Sequence, residues 1–220
     1  MNDNLHLEVL PKRQRELFYS LSRRDWISDF YLAGGTALAL QIAHRRSIDF
    51  DFFSEKDFDL LLLKKKLPGI GDYALRSESE IILDGDINGV RISFFKLPWP
   101  LIGKELHFNN LRIASKEDIA AMKLSSLSMR GSRKDFIDLY FLLEEYTLEE
   151  MFWFFEKKYG KNEENVYCAL KGIVYFVDAE KRPMPGLLRH VTWGNIKKRI
   201  ISAHKEYIEE LRHRKGRFGK

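Results

Sequence analysis

The sequence predicts an α+β protein, with an α/β first half followed by an all-helical second half. Three observations carry this. The apolar run Phe30-Tyr31-Leu32-Ala33 stops at Gly34-Gly35 and passes directly into a helix-forming segment. The segment Ser47 to Phe53 alternates polar and apolar residues, the period of a strand. From Ser115 onward, strand patterning gives way to apolar residues at helical spacing.

In chain order, Pro11 to Ser22 reads as a helix with Leu17, Phe18 and Leu21 on one face. After the Phe30–Ala33 strand, Thr36 stands where a helix N-cap belongs and Ala37 to Ala43 continues as helix. Glu55 to Leu67 reads as a helix ended by Pro68-Gly69. Tyr73 to Leu83 and Val90 to Phe95 read as strands, with turns at Asp84-Gly85-Asp86 and Asn88-Gly89. Leu97-Pro98-Trp99-Pro100 breaks the pattern before a short strand near Leu111-Arg112-Ile113. Ser115 with Asp118 three residues on resembles a capping box. Helices are expected over roughly Lys116–Met129, Arg133–Glu144, Leu148–Lys157 and Glu163–Gly172, and a basic one from Trp193 to Arg214. The expected division is a core over residues 1–115 and a helical region over 116–220.

Composition bounds the function. The 220 residues suffice for one sizeable domain, and 16 phenylalanines imply an interior filled with large rings. A single cysteine, Cys168, excludes a disulfide within one chain, and its apolar helical setting reads as a small buried hydrophobe. Met1-Asn2-Asp3-Asn4 lacks the basic and apolar regions of a secretion signal. The most apolar stretch, Phe30 to Leu40, falls short of the ~18 residues of a membrane span. These features point to a cytoplasmic protein with no membrane association. Only the last few residues read as disordered. Arg189 to Lys220 holds ten Lys/Arg against three Asp/Glu; the formal charge is +5, so the rest of the chain is slightly acidic. A basic end on such a body is the footprint of a polyanion partner, or simply a solvated helix.

The chemistry-bearing residues cluster around Gly34-Gly35-Thr36, Asp49 and Asp51. Positions two apart on a strand share a face, so Asp49 and Asp51 form a carboxylate pair, with Ile48, Phe50 and Phe52 expected toward an apolar layer. Two like charges on one face need a cation or several donors, and Mg²⁺ (or Mn²⁺) completes its shell with water and substrate phosphates. One helix upstream, two glycines let backbone approach phosphate, and the helix N-terminus presents free N–H groups. An Asp-x-Asp or a Gly-Gly-Thr alone is more often an exposed strand or a capped turn. Their conjunction favours a nucleotide site.

Tyr31 to Leu40 followed by His44 to Phe53 is similar to the signature of the AbiEii/AbiGii toxin-like nucleotidyltransferases, within the DNA-polymerase-β-like superfamily. Lys123 to Arg130 followed by Arg133 to Tyr140 resembles that family's Lys-to-Arg helix and its Arg-x-Lys-Asp-like helix, and Val174 to Glu180 resembles a late segment. The resemblance implies a nucleotidyltransferase fold, a small mixed sheet flanked by helices with a C-terminal helical region. It implies transfer of a nucleoside monophosphate from an NTP to an acceptor hydroxyl, with tRNA or another RNA as acceptor. The chain would be the toxin half of a bacterial toxin–antitoxin or phage-defence pair with a cognate antitoxin. Asp49 and Asp51 are the implied metal ligands. Gly34, Gly35, Thr36, Arg45, Ser47 and Arg130 are implied at the nucleotide phosphates. Lys123 is assigned to phosphate as a catalytic residue, and Asp138 (or Asp135) to orienting it or activating the acceptor.

Bottom-up, Lys123, Ser126 and Arg130 share one helix face opposite Leu124 and Leu127. A plain salt-bridge set among Arg130, Arg133, Asp135 and Asp138 accounts for the same residues without function. One departure stands out. Superfamily members often carry a third carboxylate on a later strand, and here Ser93 occupies that place in Val90–Phe95. Asp138 takes that role, or catalysis is weak, or the chain is a non-catalytic nucleotide- or RNA-binding module. A transferase acting on a small-molecule hydroxyl is the third reading. Without a P-loop or a zinc-spaced Cys/His cluster, ordinary ATPase and zinc-site readings have no basis in the sequence.

Overall fold

The computed structural model describes residues 5–218, with side chains for residues 5–214. The expectations for Met1 to Asn4 and for the chain end at 219–220 lie outside the described residues. The chain divides into two compact units, residues 1–119 and 120–220.

In the first unit, α1 (Lys12–Ser22) buries Leu17, Phe18 and Leu21, as its apolar spacing requires. β1 (Tyr31–Ala33) runs straight into α2 (Gly34–Ile42). The helix therefore starts at the first glycine, and Thr36 lies inside its first turn, not at the N-cap, which is Ala33. β2 (Phe50–Ser54) begins later than its alternation predicts, and Ile48 is 49% exposed outside the strand rather than facing an apolar layer. α3 is shorter than expected (Leu60–Lys66), because Asp59 caps it by accepting from the Leu61 and Leu62 N–H groups.

The Tyr73–Leu83 expectation resolves into two strands, β3 (Tyr73–Ser79) and β4 (Ile82–Ile87). Asp84-Gly85-Asp86 lies within β4 and makes no turn, because Asp84 and Asp86 both find arginine partners on neighbouring strands. Gly85 is needed there: a Cβ would come within 2.7 Å of the Ala74 carbonyl and the Tyr73 ring. The turn at Asn88-Gly89 forms as expected, with φ of 52° and 76° at the two residues, leading into β5 (Val90–Lys96). β6 (Leu106–Phe108), not anticipated, pairs with β7 (Leu111–Ile113) through a turn holding Asn109 at φ 52°.

These seven strands form one sheet in the order β3-β4-β5-β2-β1-β7-β6. β2 pairs antiparallel with β1 and parallel with β5, so the sheet is mixed. Its edges are β6, three residues long, and β3, largely exposed with a register shift between Leu75 and Ser77. One sheet face is the core. Phe50, Phe52 and Phe94 are fully buried there, with Phe52 and Phe94 stacked at 5.3 Å and Phe18 of α1 at 6.3 Å from Phe50. Each such ring contributes about 1.5–3 kcal/mol by burial.

α4 (Lys116–Met129) crosses the unit boundary, and its first turn carries the expected cap: Ser115 Oγ lies 2.9 Å from Asp118, which also accepts from the Ile102 and Gly103 N–H groups. The second unit continues with α5 (Arg133–Leu142), α6 (Leu148–Tyr159), α7 (Glu163–Gly172), the single-turn α8 (Val177–Glu180) and α9 (Trp193–Phe218). Ile196, Ile200 and Ala203 form the buried stripe of α9, and Tyr207 stacks on Phe152 at 5.1 Å. Cys168 is exposed, on the outer side of α7, rather than buried. Among the described residues no helix is long and apolar enough to cross a membrane.

Candidate functional site

The sheet face opposite the core carries polar residues in register. Ala33 pairs with Asp51, Asp51 with Ser93, and Ser93 with Asp84. Paired residues project to the same side of a sheet, so β1, β2, β5 and β4 present one row. Below it, Tyr31, Phe53 and Phe95 stack at 5.8 and 5.0 Å and form the floor of that face.

Gly34 brings the helix end to Asp51. Its φ of 66° is the left-handed region that glycine alone adopts cheaply, and a Cβ there would lie 3.2 Å from Asp51 Oδ2. The Asp51 carboxylate thus sits against the first turn of α2, where unpaired N–H groups and the positive dipole end lie. Gly35 occupies the same turn. Thr36 is buried, and its hydroxyl donates to the Asp49 carbonyl. That uses its one proton, so the Ser47 hydroxyl at 2.7 Å is the donor to Thr36. Thr36 and Ser47 therefore pin the segment that leads into Asp49. Arg45, 2% exposed, donates to the Arg46 carbonyl at 3.1 Å. His44 is fully buried just past the helix end, where Ala43 makes the left-handed cap.

Two residues of this face escaped sequence reasoning. Asp84 accepts from Ser93 Oγ at 2.8 Å and from Arg91 Nε and Nη2 at 3.0 and 3.2 Å. Burial pushes the Asp84 carboxyl up, yet Arg91 and Ser93 outweigh it and hold it below the usual range. Arg91 is raised, chiefly by its bond to Asp84, and the charges of Asp49 and Asp51 act in the same direction. The available signal was the alternation of Arg91 and Ser93 with apolar Val90, Ile92 and Phe94, which puts both on the face of Asp51. Among the described residues no group of three or more His, Cys, Asp or Glu is arranged to hold a metal. Asp51 stands in β2 and Asp49 just ahead of it, and their chemistry is that of ligands to a cation that draws its other ligands from substrate phosphates and water.

A pocket of about 370 Å³ in the same unit, lined by Trp26, Phe30, Phe58, Lys66 and Arg112 among others, opens at the Ser54 end of β2, away from the Asp51 row.

In the second unit, Lys123 is 6% exposed and forms ion pairs with Asp138 at 2.6 Å and Asp135 at 2.8 Å. Asp135 also closes a capping box at the start of α5, accepting from Ser132 N at 3.0 Å and Ser132 Oγ at 2.6 Å. Burial raises the Asp135 carboxyl, but Lys123 and Ser132 more than reverse it and hold it low. The simple salt-bridge set expected as the alternative does not form as stated. Lys123 takes the two carboxylates, while Arg133 donates to the Ala179 and Glu180 carbonyls and lies over the Trp193 ring. Arg130 is exposed and borders a cleft of about 550 Å³ with Ser132, Asp135, Asp178, Lys181 and Arg182, so the segment before residue 180 meets the α4–α5 turn. On α9, Lys197 and Arg214 are engaged by Glu180 and Glu149, and Arg199 by the Leu143 carbonyl. Lys198, Lys205 and Arg212 recur every seventh residue and are exposed, so they form one basic stripe.

Comparison with known proteins identifies the family and the fold. The family model described as "Nucleotidyl transferase AbiEii toxin, Type IV TA system" matches residues 15–100 and 94–212. The protein aq_aa25 of Aquifex aeolicus (strain VF5) is 34% identical over 209 residues, covering 92% of this chain and 100% of that protein. Among solved structures, JHP933 from Helicobacter pylori aligns with a TM-score of 0.59 at 16% identity, covering 96% of this chain and 100% of that one. MenT4, a nucleotidyltransferase toxin from Mycobacterium tuberculosis H37Rv, aligns with a TM-score of 0.50 at 13% identity, covering 88% and 84%. The mixed sheet flanked by helices is the fold of these structures.

Proposed function

Because the chain belongs to the AbiEii family of nucleotidyl transferase toxins of type IV toxin–antitoxin systems, we propose that it transfers a nucleoside monophosphate from an NTP to a hydroxyl of tRNA or another RNA. The observation that carries the reading is the seat of Asp51 against the glycine start of α2. A helix N-terminus attracts phosphate, but a carboxylate already stands there, and two anions share such a place only with a cation between them. Mg²⁺ (or Mn²⁺), when bound, supplies charge neutralisation and alignment of the triphosphate. Asp49 and Asp51 would hold it.

The residues of the chain account for the rest. Gly34 and Gly35 offer backbone N–H groups to phosphate, and Thr36 with Ser47 fixes the approach to Asp49. The acceptor oxygen forms a bond to the α-phosphorus. The bond from that phosphorus to the oxygen bridging to the β-phosphate breaks, pyrophosphate leaves with the electron pair, and the hydroxyl proton passes to water. We keep Lys123, Arg130 and Arg45 as proposed phosphate cations. Asp138, fully buried on Lys123, suits orienting that lysine better than meeting an acceptor, and Asp135 supports it. The basic stripe Lys198, Lys205 and Arg212 suits an RNA backbone. A cognate antitoxin is the partner the family implies, and a cytoplasmic location fits an RNA acceptor.

A second reading, a nucleotide- or RNA-binding module without turnover, is favoured by Ser93, whose hydroxyl serves Asp84 where an acid would help catalysis. The deciding experiment incubates the protein with Mg²⁺, each labelled NTP and total transfer RNA, beside the Asp49→Asn, Asp51→Asn double variant. Label in RNA with wild type alone supports transfer. Binding of NTP or RNA without label under any NTP supports the module.

A further inference from the structure

Arg91 is a half-exposed cation, its side chain 52% accessible, gripped on one edge by a carboxylate that is itself buried. Nε and Nη2 donate to the two oxygens of Asp84, and Ser93 Oγ fixes one of those oxygens from the side. A guanidinium has five N–H donors in a rigid planar fork. Among the described residues Arg91 makes no hydrogen bond beyond those to Asp84, so Nη1 remains available, on the face that carries Asp51. A fork clamped on one side and open on the other is a preorganised anion contact.

The register says which anion. On one side of Asp51 lie Ala33 and the glycine start of α2; on the other lie Ser93, then Asp84 with Arg91. In nucleotidyl transfer the attacking and leaving oxygens stand roughly in line on opposite sides of the phosphorus. With the triphosphate on the α2 side, the acceptor approaches over β5 and β4. We infer that Arg91 is the acceptor-side phosphate contact, binding a phosphodiester next to the attacking hydroxyl, with Asp84 and Ser93 as its positioning residues. The site then selects polynucleotide acceptors over neutral small-molecule alcohols. This inference rests on the transfer reaction proposed above.

The test uses the full chain, total transfer RNA and the NTP that labels it. Arg91→Gln is expected to raise KM for RNA about tenfold, the usual worth of a charge-assisted hydrogen bond, with KM for the NTP unchanged. The dependence of KM for RNA on salt should become shallower by about one phosphate contact. Arg91→Lys should restore part of the affinity, and Asp84→Asn should move KM for RNA the same way by less. An unchanged KM for RNA in Arg91→Gln overturns the inference while leaving the transfer reaction intact. So does an effect that disappears when Asp84→Asn is added, because the role would then be only to neutralise Asp84. If wild type labels no RNA, the transfer reading itself fails. Direct binding of fluorescent transfer RNA then decides for Arg91: equal Kd for wild type and Arg91→Gln removes it from the RNA surface.

Discussion

Lys123 Nζ stands 2.6 Å from Oδ2 of Asp138, whose side chain is fully buried, and the same ammonium meets Asp135. Removing the lysine leaves two carboxylates close together and out of water. Lys123→Ala is therefore expected to lose about 3–5 kcal/mol of stability, the range for breaking a buried ion pair from one side. Urea unfolding at neutral pH checks this. A loss below about 1 kcal/mol would show that water reaches both carboxylates.

The same cluster sets a pH dependence. Asp135 has a folded pKa below its unfolded one, so its contribution is present above the ordinary carboxylate range and is lost as pH falls through the depressed folded value. Wild type should therefore lose stability on acidification below about pH 4, the ordinary aspartate value. In Lys123→Ala the chief depressing partner is gone and Ser132 alone still opposes burial, so the loss of stability on acidification should be smaller than in wild type. Thermal unfolding of both proteins from neutral pH to about pH 4 separates the two slopes.

Gly34 is expected to tolerate a side chain poorly. Alanine there meets both a left-handed backbone, costing about 1–2 kcal/mol, and the Asp51 carboxylate at 3.2 Å. Gly34→Ala should unfold a few degrees lower and bind NTP in the presence of Mg²⁺ more weakly than a Gly69→Ala control, where a Cβ meets nothing within 4 Å. Calorimetry on the two variants is the comparison; equal NTP affinities would detach Gly34 from the nucleotide.

Thr36→Val keeps the shape of a buried residue but strips the hydroxyl that joins Ser47 to the Asp49 carbonyl. A cost of about 1–3 kcal/mol is expected, since both former partners stay buried or half-buried. Thr36→Ser should restore most of it. Equal stability of the valine and serine variants would mean that the loop is held elsewhere.

Replacing Lys198, Lys205 and Arg212 together by glutamine removes a solvated stripe and no packing, so stability should change by less than about 0.5 kcal/mol per site. Binding of transfer RNA should weaken, and the slope of log K against log salt should fall by about 2 for three single-strand phosphate contacts. An unaltered slope would assign the stripe to solvent alone.

The strand–glycine–helix–strand order and the helices from Lys116 onward, the single-turn α8 excepted, were legible because each rests on local patterning or caps. What local patterning could not supply was the partner across the sheet. Asp84-Gly85-Asp86 has turn composition, yet Arg91 on the next strand stands opposite Asp86 and reaches diagonally to Asp84, so the two acids are strand residues. Thr36 has the chemistry of a cap, but Asp49, thirteen residues away, claims its hydroxyl. Cys168 occupies an apolar-looking stretch whose buried stripe, seen in Ala169, passes one position to its side.

The sheet ends where another chain could add a strand, and each end is a poor template. β6 is three residues long. β3 is longer but breaks its own register between Leu75 and Ser77, and carries Arg76 and Glu78, both tied to neighbouring elements. Short, bulged or charged edges disfavour the open-ended pairing from which amyloid-like fibrils grow. A phenylalanine-rich sheet can therefore be made in quantity beside its own copies without polymerising through its rims.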